Sequence, residues 1–285
     1  MNIFLIGVGL IGGSFAKDLR RVHPNASFFG ISRRETTLDK AIELGIIDHK
    51  SSMDELSSAD IVILSIPVDV SVPVLVGVLD RISDDCLVFD AGSIKESICE
   101  TVKDHPKRKN FLACHPIAGT EFSGPEAALE GLYKDKTMII CEVEATAFKL
   151  QELAVEFFRA IGMRIRYMNA KSHDKHIAYV SHLSHISSFM LGKTVIEKEK
   201  NENDIFDMAG SGFESTVRLA KSSPAMWTPI FAENKSNVID ALEEYISNLT
   251  AFKKLMKEDS FEAVFNEMEE TNKIKEILNG IPHNN

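Results

Sequence analysis

Three glycines near the amino terminus have the spacing of a phosphate-binding turn. Gly7, Gly9 and Gly12 follow an apolar, strand-like segment and open a helical period. The first glycine permits a tight turn, the second lets the backbone approach a pyrophosphate, and the third lets helix and strand pack closely. The positive end of the helix then faces the anion. The motif predicts a bound dinucleotide that contacts Gly7, Gly9, Leu10, Ile11 and Gly12.

The residues after the second predicted strand bear on which dinucleotide binds. An NAD site usually has Asp or Glu here, which accepts hydrogen bonds from the ribose hydroxyls. This chain has Ser32, Arg33 and Arg34 instead. Because guanidinium groups match phosphate geometry, the sequence favours NADP; if the arginines are merely solvated, NAD stays open. We also expect Ser65 and Pro67, after a later strand, to contact the cofactor.

Two histidine pairs have helical spacing. His182 and His185 are three residues apart, as are His173 and His176, so each pair shares a helix face. Zinc is one interpretation, but the pattern H-E-x-x-H is absent and no cysteine cluster adds ligands, so we expect no metal. For His182 and His185, a pocket and a buried core or interface stay open as well, and His173 and His176 stay unassigned.

The elements that must position these residues alternate in the first half of the chain. Its apolar runs are rich in Ile, Val, Leu and Phe without strict polar alternation, which is typical of strands buried on both faces of a largely parallel sheet. Helical periods lie between them, which predicts a doubly wound α/β fold of the Rossmann type. The strand candidates are 2–6, 27–31, 61–65, 87–90, 111–114, 137–141 and 164–167.

The second half of the chain shows only helical patterns. They cover 171–200, 204–221, 226–257 and 261–278. We therefore predict a dinucleotide-binding Rossmann domain over 1–168 and an all-helical substrate and dimerisation domain over 169–285. The apolar faces of these helices are too large for one thin layer, which favours a homodimer.

Composition narrows the function classes. A chain of 285 residues suits about two domains, and 44% hydrophobic with 26% charged residues is an ordinary globular balance. The formal net charge of -10 argues against nucleic acid as a partner. No apolar run is long enough for a membrane span, and the amino terminus runs straight into a strand, so neither membrane insertion nor a signal peptide is expected. The four cysteines are scattered, which indicates reduced thiols and a cytoplasmic location.

Four segments resemble a known family. His115-Pro116-Ile117-Ala118-Gly119-Thr120 resembles the H-P-[MI]-A-G-[TS] signature of prephenate and arogenate dehydrogenases. The segments 90–95, 181–185 and 212–218 resemble three further motifs of that family and occur in the family's order. One position departs from the pattern, since Ser184 stands where proline is usual.

The resemblance implies a fold, an activity and roles. The fold is a Rossmann domain followed by a helical domain that forms a dimer. The activity is oxidative decarboxylation of prephenate to 4-hydroxyphenylpyruvate, with arogenate as the alternative substrate. The family's fused chorismate mutase and regulatory ACT domains are not expected here. His115 is implied as the proton acceptor, which suits an imidazole. Ser93 is implied to orient either the substrate hydroxyl or His115. The implied substrate-binding residues are Thr120, His182, His185 and Arg218.

Some roles have competing interpretations. A guanidinium at Arg218 suits a substrate carboxylate, but a surface arginine is the alternative. Lys95 either joins the site or simply opens a helix, Glu121 lies beside Thr120, and Trp227 is expected to anchor helix packing. Two other functions remain: a β-hydroxyacid-type dehydrogenase, which would not explain the segment at His115, and a non-catalytic dinucleotide sensor.

Overall fold

Eight strands form a single sheet. The computed structural model describes residues 1–120, 122–202 and 204–279, without the side chains of 201 and 202. The strand order is β3-β2-β1-β4-β5-β6-β7-β8, and every neighbouring pair is parallel except the antiparallel pair β6 and β7. The strands are β1 Asn2–Ile6, β2 Ser27–Ile31, β3 His49–Lys50, β4 Ile61–Leu64, β5 Leu87–Asp90, β6 Phe111–Pro116, β7 Thr137–Cys141 and β8 Arg164–Met168.

Twelve α-helices are found in the described part of the chain. They are α1 Leu10–Val22, α2 Glu35–Glu43, α3 Val68–Arg81, α4 Glu96–Val102, α5 Phe148–Ala160, α6 Ala170–Ile177, α7 Leu183–Glu202, α8 Ser211–Val217, α9 Pro224–Glu233, α10 Lys235–Lys257, α11 Phe261–Thr271 and α12 Ile274–Asn279. A π-helical turn, Ala178–His182, joins α6 to α7. The order of strands and helices confirms the predicted doubly wound Rossmann-type sheet followed by helices.

Each face of the sheet carries its own apolar core. Successive side chains of a strand point to opposite faces. Accordingly Ile3 and Leu5 of β1 join a cluster with Phe15 of α1, whereas Phe4 and Ile6 join a second cluster on the other face. This two-sided burial explains why the strand sequences lack polar alternation.

The parallel strands bring their following loops to one edge. Ile6 of β1 is aligned with Ile31 of β2 and Leu64 of β4, and Leu64 is aligned with Asp90 of β5. The connections that follow these strands therefore leave the sheet at the same edge. The sheet also reverses its order between β1 and β4, and such a switch point is where open α/β sheets bind ligands.

Several element predictions need correction. Strand β3 was not predicted, because its two residues carry no apolar run. The helix expected over 204–221 is broken into α8 and short 3-10 turns, Phe206–Met208 and Arg218–Lys221, around the glycines at 210 and 212. The expected helices over 226–257 and 261–278 are each two helices, which are separated at Asn234 and at residues 272–273.

The boundary between the two compact units of the structure lies further along the sequence than the end of the sheet. One unit extends from Met1 to Asn234, and the second begins at Lys235. The first unit includes α6 to α9 because α6 packs against α4 and α9 packs against α3 of the nucleotide-binding half. The predicted boundary at 168/169 coincides instead with the end of β8. None of the helices in the described ranges has the length and apolarity to cross a membrane.

Candidate active site

The glycine turn has a geometry that side chains would prevent. Gly7 has a φ of 94°, and its N–H donates to the Ile31 carbonyl at 3.1 Å. A Cβ at Gly7 would overlap the Ser65 carbonyl oxygen, and one at Gly12 would overlap the Gly7 carbonyl oxygen. The Ser65 hydroxyl donates to that Gly7 carbonyl at 2.7 Å. Ser65, which we expected to contact the cofactor, therefore holds the turn through its side chain.

The start of α1 is suited to an anion. Gly9 is the residue before the helix, no side chain caps it, and the first turn contains no acidic residue. The first backbone N–H groups of a helix lack intrahelical partners and carry partial positive charge. A Cβ at Gly9 would meet only Gly124 N, at 3.9 Å, so the space beside the turn is open. Leu10 is buried and Ile11 half-buried against the core.

The other predicted cofactor residues lie after β2 and β4. The Ser32 oxygen accepts a hydrogen bond from Arg34 N at 3.3 Å, and Arg33 and Arg34 are exposed. Pro67 is exposed and precedes α3. Because β2 and β4 both flank β1, these residues lie at the edge to which Gly7 also belongs.

His115 lies near the end of β6 and bonds to a second histidine. Its ring is partly buried, and its Nδ1 is 2.8 Å from Nε2 of His173 on α6. The Nδ1 of His173 is in turn 2.7 Å from Oδ1 of Asp174. His173 and Asp174 are both buried. The three groups form a continuous chain of hydrogen bonds from a buried carboxylate to His115.

Asp174 also binds the start of α4. Its Oδ1 accepts from Lys95 N and its Oδ2 from Glu96 N, each at 2.8 Å. With His173, the carboxylate therefore receives three donors. An ionised carboxylate only accepts hydrogen bonds, so this arrangement fits the charged form.

A buried ion pair lies on the neighbouring strand. The Lys95 ammonium binds Asp90 Oδ2, and both side chains are almost fully buried. The same carboxylate accepts from Gly92 N and Cys114 N, each at 2.9 Å. Asp90 thus joins the end of β5 to the residue before His115. Lys95 therefore both precedes α4 and pairs with Asp90 in the framework behind His115.

The surroundings of His115 favour its neutral form. Burial lowers the pKa of His115 well below its usual 6.5, and His173, Lys95 and His182 lower the pKa further. Desolvation and nearby positive charge both disfavour an imidazolium. At neutral pH His115 is therefore uncharged and retains one nitrogen that can accept a proton.

His182 is fully buried in the π-helical turn. The Asn234 amide nitrogen donates to the Asp174 backbone carbonyl at 2.7 Å and lies 3.2 Å from His182 Nδ1. Because that amide is a donor, His182 Nδ1 accepts and Nε2 carries the proton. His182 Nε2 and Trp227 Nε1 are buried without a hydrogen-bond partner among the described residues. Both are donors, so a ligand oxygen or water would satisfy them.

His185 and Arg218 lie on the next helical segments. The His185 ring stacks on Trp227, with centroids 3.5 Å apart, and its Nδ1 is 2.9 Å from the Ser181 carbonyl. Burial lowers the pKa of His185, the hydrogen bond to the Ser181 carbonyl opposes this shift, and the charge of Arg218 lowers the pKa further. Arg218 itself is exposed. Trp227 packs with Val68 of α3 as the sequence led us to expect of an anchor.

Ser93 and Thr120 lie in loops at the ends of β5 and β6. Ser93 is half-buried three residues after Asp90, and no hydrogen bond to His115 is formed by its side chain. The Thr120 hydroxyl oxygen accepts from Phe122 N at 3.3 Å. Glu121 lies outside the described residues. The charge of His182 acts on the pKa of His115, and that of Arg218 acts on the pKa of His185, while Ser93 lies in the loop that follows β5.

Sequence reasoning missed the groups behind His115. Asp90, Asp174 and Asn234 were not singled out, and His173 was left unassigned. The adjacent His173-Asp174 pair was visible, but nothing in its spacing indicated a bond to a residue 58 positions away. Among the described residues, no group of three His, Cys, Asp or Glu side chains is placed to hold a metal.

The fold and the site define a dinucleotide-dependent dehydrogenase with a helical second half. Sequence profiles described as "Prephenate dehydrogenase, nucleotide-binding domain" and "Prephenate dehydrogenase, dimerization domain" match residues 15–167 and 169–270. The chain belongs to the prephenate dehydrogenase family.

Individual relatives agree with this assignment. The crystal structure of prephenate dehydrogenase from Aquifex aeolicus, in complex with hydroxyphenyl propionate and NAD+, is 36% identical with a TM-score of 0.90, and 97% of each chain is covered. Prephenate dehydrogenase from Lactococcus lactis is 30% identical over 97% of this chain and 77% of its own length. Arogenate dehydrogenase from Synechocystis is 26% identical, with a TM-score of 0.79, over 98% of this chain and 100% of that chain.

The burial of His182 predicts an unusual titration. Desolvation lowers its pKa from 6.5 to about 4, the largest of the causes acting on it. NMR of the ring protons, with the signal identified by its loss in His182→Asn, should show a neutral ring at pH 6 and a midpoint near 4. Between pH 6.5 and 4 the unfolded chain binds a proton at His182 that the folded chain does not. The free energy of unfolding should therefore fall as the pH is lowered from 6.5 to 4. A midpoint near 6.5 would contradict the burial.

Proposed function

We propose that this chain oxidises and decarboxylates prephenate with a nicotinamide dinucleotide, and that His115 is the proton acceptor. The observation that carries the proposal is the placement of His115 at the carboxyl edge of the sheet, with its Nδ1 bonded to His173, and its lowered pKa favours the neutral ring. Oxidation of a ring alcohol requires a base for the hydroxyl proton. A non-catalytic sensor has no need of a neutral imidazole held in this way.

The roles in the reaction follow from the placement of each group. His115 accepts the hydroxyl proton at Nε2, since its Nδ1 is engaged with His173. Arg218 pairs with a substrate carboxylate, and Ser93 and Thr120 supply hydroxyls from the adjoining loops. His182 donates from Nε2 to the substrate, and His185 lines the pocket beside Trp227. As the ring carbon–carboxylate bond breaks, its electron pair enters the ring and makes it aromatic.

The cofactor binds at the glycine turn. The uncapped start of α1 and the open space beside Gly9 fit a pyrophosphate, and Gly7 to Gly12 with Pro67 line the turn. When bound, the nicotinamide supplies the acceptor for the substrate's hydride. We propose that residues 1–168 form this nucleotide-binding domain and 169–285 the substrate and dimerisation domain, and that the protein acts in the cytoplasm.

Arogenate is the second candidate substrate. It differs from prephenate only in an amino group that replaces the side-chain keto group, so both substrates need the same base and the same cation. The similarity to the Synechocystis arogenate dehydrogenase keeps this candidate open. Rates with both substrates and both cofactors decide it.

Replacing His115 tests the proposed base. His115→Asn should lower kcat with prephenate roughly 10² to 10⁴-fold, the usual contribution of a positioned acid–base group, and leave the cofactor dissociation constant little changed. In the wild type, kcat/KM should fall as pH drops through the lowered pKa of His115, so the acid limb lies below pH 6.5. Near-normal kcat in the variant would remove His115 from the reaction.

Replacing Arg218 tests the proposed carboxylate site. Because the substrate's charge is present in both ground and transition state, Arg218→Ala should raise KM for prephenate more than it lowers kcat. Steady-state kinetics measure both constants, with Lys221→Ala as a nearby control that removes a cation paired with Glu214 at 3.5 Å. If KM rises equally in the two variants, Arg218 is only part of a general positive potential.

We infer a modest preference for NADP from the end of β2. No carboxylate stands at Ser32 to repel a 2′-phosphate, and Arg33 and Arg34 are exposed on the same loop. One charge-assisted bond contributes on the order of 1.5 to 3 kcal/mol, and each 1.4 kcal/mol is about a factor of ten. The kcat/KM with NADP should exceed that with NAD at low salt, and the excess should shrink as salt rises.

Ser32→Asp should reverse this preference, because it restores a ribose acceptor and reintroduces repulsion. Kinetics with both cofactors at two salt concentrations measure it. A tenfold preference of the wild type for NAD would mean that the arginines point into solvent.

We propose that the helical part forms a homodimer. Helix α10 has an exposed apolar stripe in which Ile246 and Leu249 are each 52% exposed, and α11 exposes Phe261 and Phe265. Contiguous apolar surface of this kind usually marks an interface. The family profile over 169–270 is that of a dimerisation domain, which supports a second copy as the occupant.

Charge placed on this stripe should separate the dimer. Light scattering at micromolar concentration should give twice the chain mass for the wild type, and the double variant Ile246→Glu, Leu249→Glu should shift the mass toward the monomer because buried charge is costly. Ser247→Glu, exposed on the opposite side of α10, is the matched control and should stay dimeric. A monomeric wild type would refute the proposed dimer.

A further inference from the structure

His115 reaches the carboxylate of Asp174 only through His173. Nδ1 of His115 lies 2.8 Å from Nε2 of His173, and Nδ1 of His173 lies 2.7 Å from Oδ1 of Asp174. Sequence reasoning left His173 without a role, and the proposed reaction uses neither His173 nor Asp174 directly. Their burial and their distances to His115 nevertheless restrict which nitrogen of each ring carries a proton.

The direction of the hydrogen bonds from Asp174 through His173 to His115 follows from the carboxylate of Asp174. Asp174 accepts from two backbone N–H groups as well as from His173, so His173 Nδ1 is the donor in their bond. A neutral ring with its proton on Nδ1 has an acceptor at Nε2. His115 Nδ1 must then be the donor toward His173, which leaves the lone pair of His115 on Nε2.

If the hydrogen bonds ran in the opposite direction, His115 could not act as the base. If His173 carried a proton on Nε2, His115 Nδ1 would have to accept, and the proton of a neutral His115 would lie on Nε2. That nitrogen could then not accept a substrate proton. The outcome depends on Asp174, because only an acceptor on the far side of His173 fixes the proton on its Nδ1.

We propose that His173, oriented by Asp174, is a positioning residue that holds His115 in the tautomer with its proton on Nδ1, so that Nε2 is free to act as the base. The inference rests on the proposed function for its catalytic consequence, while the tautomer itself is a property of the protein without substrate. His173 touches no reacting atom; it acts through His115.

The arrangement also serves the charge that forms during the reaction. The proton leaves the substrate hydroxyl and binds His115 Nε2, and the oxygen keeps the electron pair. His115 is then an imidazolium with two N–H groups, and its Nδ1–H still donates to His173 Nε2. The new positive charge is thus linked by one neutral ring to the Asp174 carboxylate, with no rearrangement of the hydrogen bonds.

NMR of the protein without substrate tests the tautomer directly. Long-range proton–nitrogen spectra of protein with ¹⁵N-labelled histidine distinguish protonated from unprotonated ring nitrogens, and the His115 signals are those lost in His115→Asn. At pH 7.5 we expect a protonated Nδ1 and an unprotonated Nε2 for His115. A protonated Nε2 would overturn the inference, whatever the enzyme's activity.

Kinetics of His173 variants test the consequence. His173→Leu removes the acceptor, so kcat with prephenate should fall on the order of 10²-fold while KM for prephenate and for cofactor changes little. His173→Gln places an amide oxygen at about the reach of Nε2, so it should recover at least tenfold over His173→Leu and restore the Nδ1-protonated signal. Variants of Asp174 are less informative because its carboxylate also caps α4.

The matched control is His176→Leu. His176 is exposed on the same helix three residues on, so its loss should leave kcat unchanged. If His173→Leu behaves like this control, or if His173→Gln loses as much activity as His173→Leu, the positioning role is overturned. If the wild type turns over neither prephenate nor arogenate, the proposed function fails, and the NMR result still decides the tautomer.

Discussion

The buried carboxylate of Asp174 is the constraint on which the site depends. A buried charge must be paired or fully hydrogen-bonded, because an unpaired one costs several kcal/mol. Asp174 meets this requirement with the start of α4 and with His173, and its backbone carbonyl binds Asn234. One residue of α6 therefore ties the helical part of the first unit to the loop that follows β5.

Asp90 plays the matching part within the sheet. Its carboxylate binds Lys95, Gly92 and Cys114, so the loop after β5 and the end of β6 are fixed together. Because His115 directly follows Cys114, the bond between Cys114 N and Asp90 also fixes the backbone position of His115. The positive charge of Lys95 also helps to keep His115 neutral. The buried pair of Asp90 and Lys95 therefore both fixes the position of His115 and, through Lys95, lowers its pKa, which gives a reason for a lysine at a fully buried position.

The sequence predicted the sheet and the glycine turn well, because both depend on local patterns. Apolar runs without alternation mark the parallel strands. Gly7 has a positive φ because the first glycine of the motif forms a tight turn. The breaks in the late helices were missed because helical periodicity continues through residues such as Asn234, which is needed for its hydrogen bonds rather than for helix propensity.

The groups behind His115 were beyond local patterns. The bond between His115 and His173 joins residues 58 positions apart, and that between Lys95 N and Asp174 joins residues 79 apart. Such contacts depend on how α6 packs on α4, which no spacing in the sequence encodes. The family resemblance selected His115 as the proposed acceptor, and its bond to His173 adds a physical reason for that choice.

The stoichiometry of the reaction tests the central claim most directly. Prephenate labelled with ¹⁴C in its ring carboxylate, mixed with the protein and oxidised cofactor, allows released CO2 to be counted against the absorbance of reduced cofactor. Since loss of the carboxylate and loss of the hydride belong to one aromatisation, the account predicts equal amounts of the two products at every time point. Reduced cofactor without labelled CO2, or neither product from prephenate or arogenate, would contradict it.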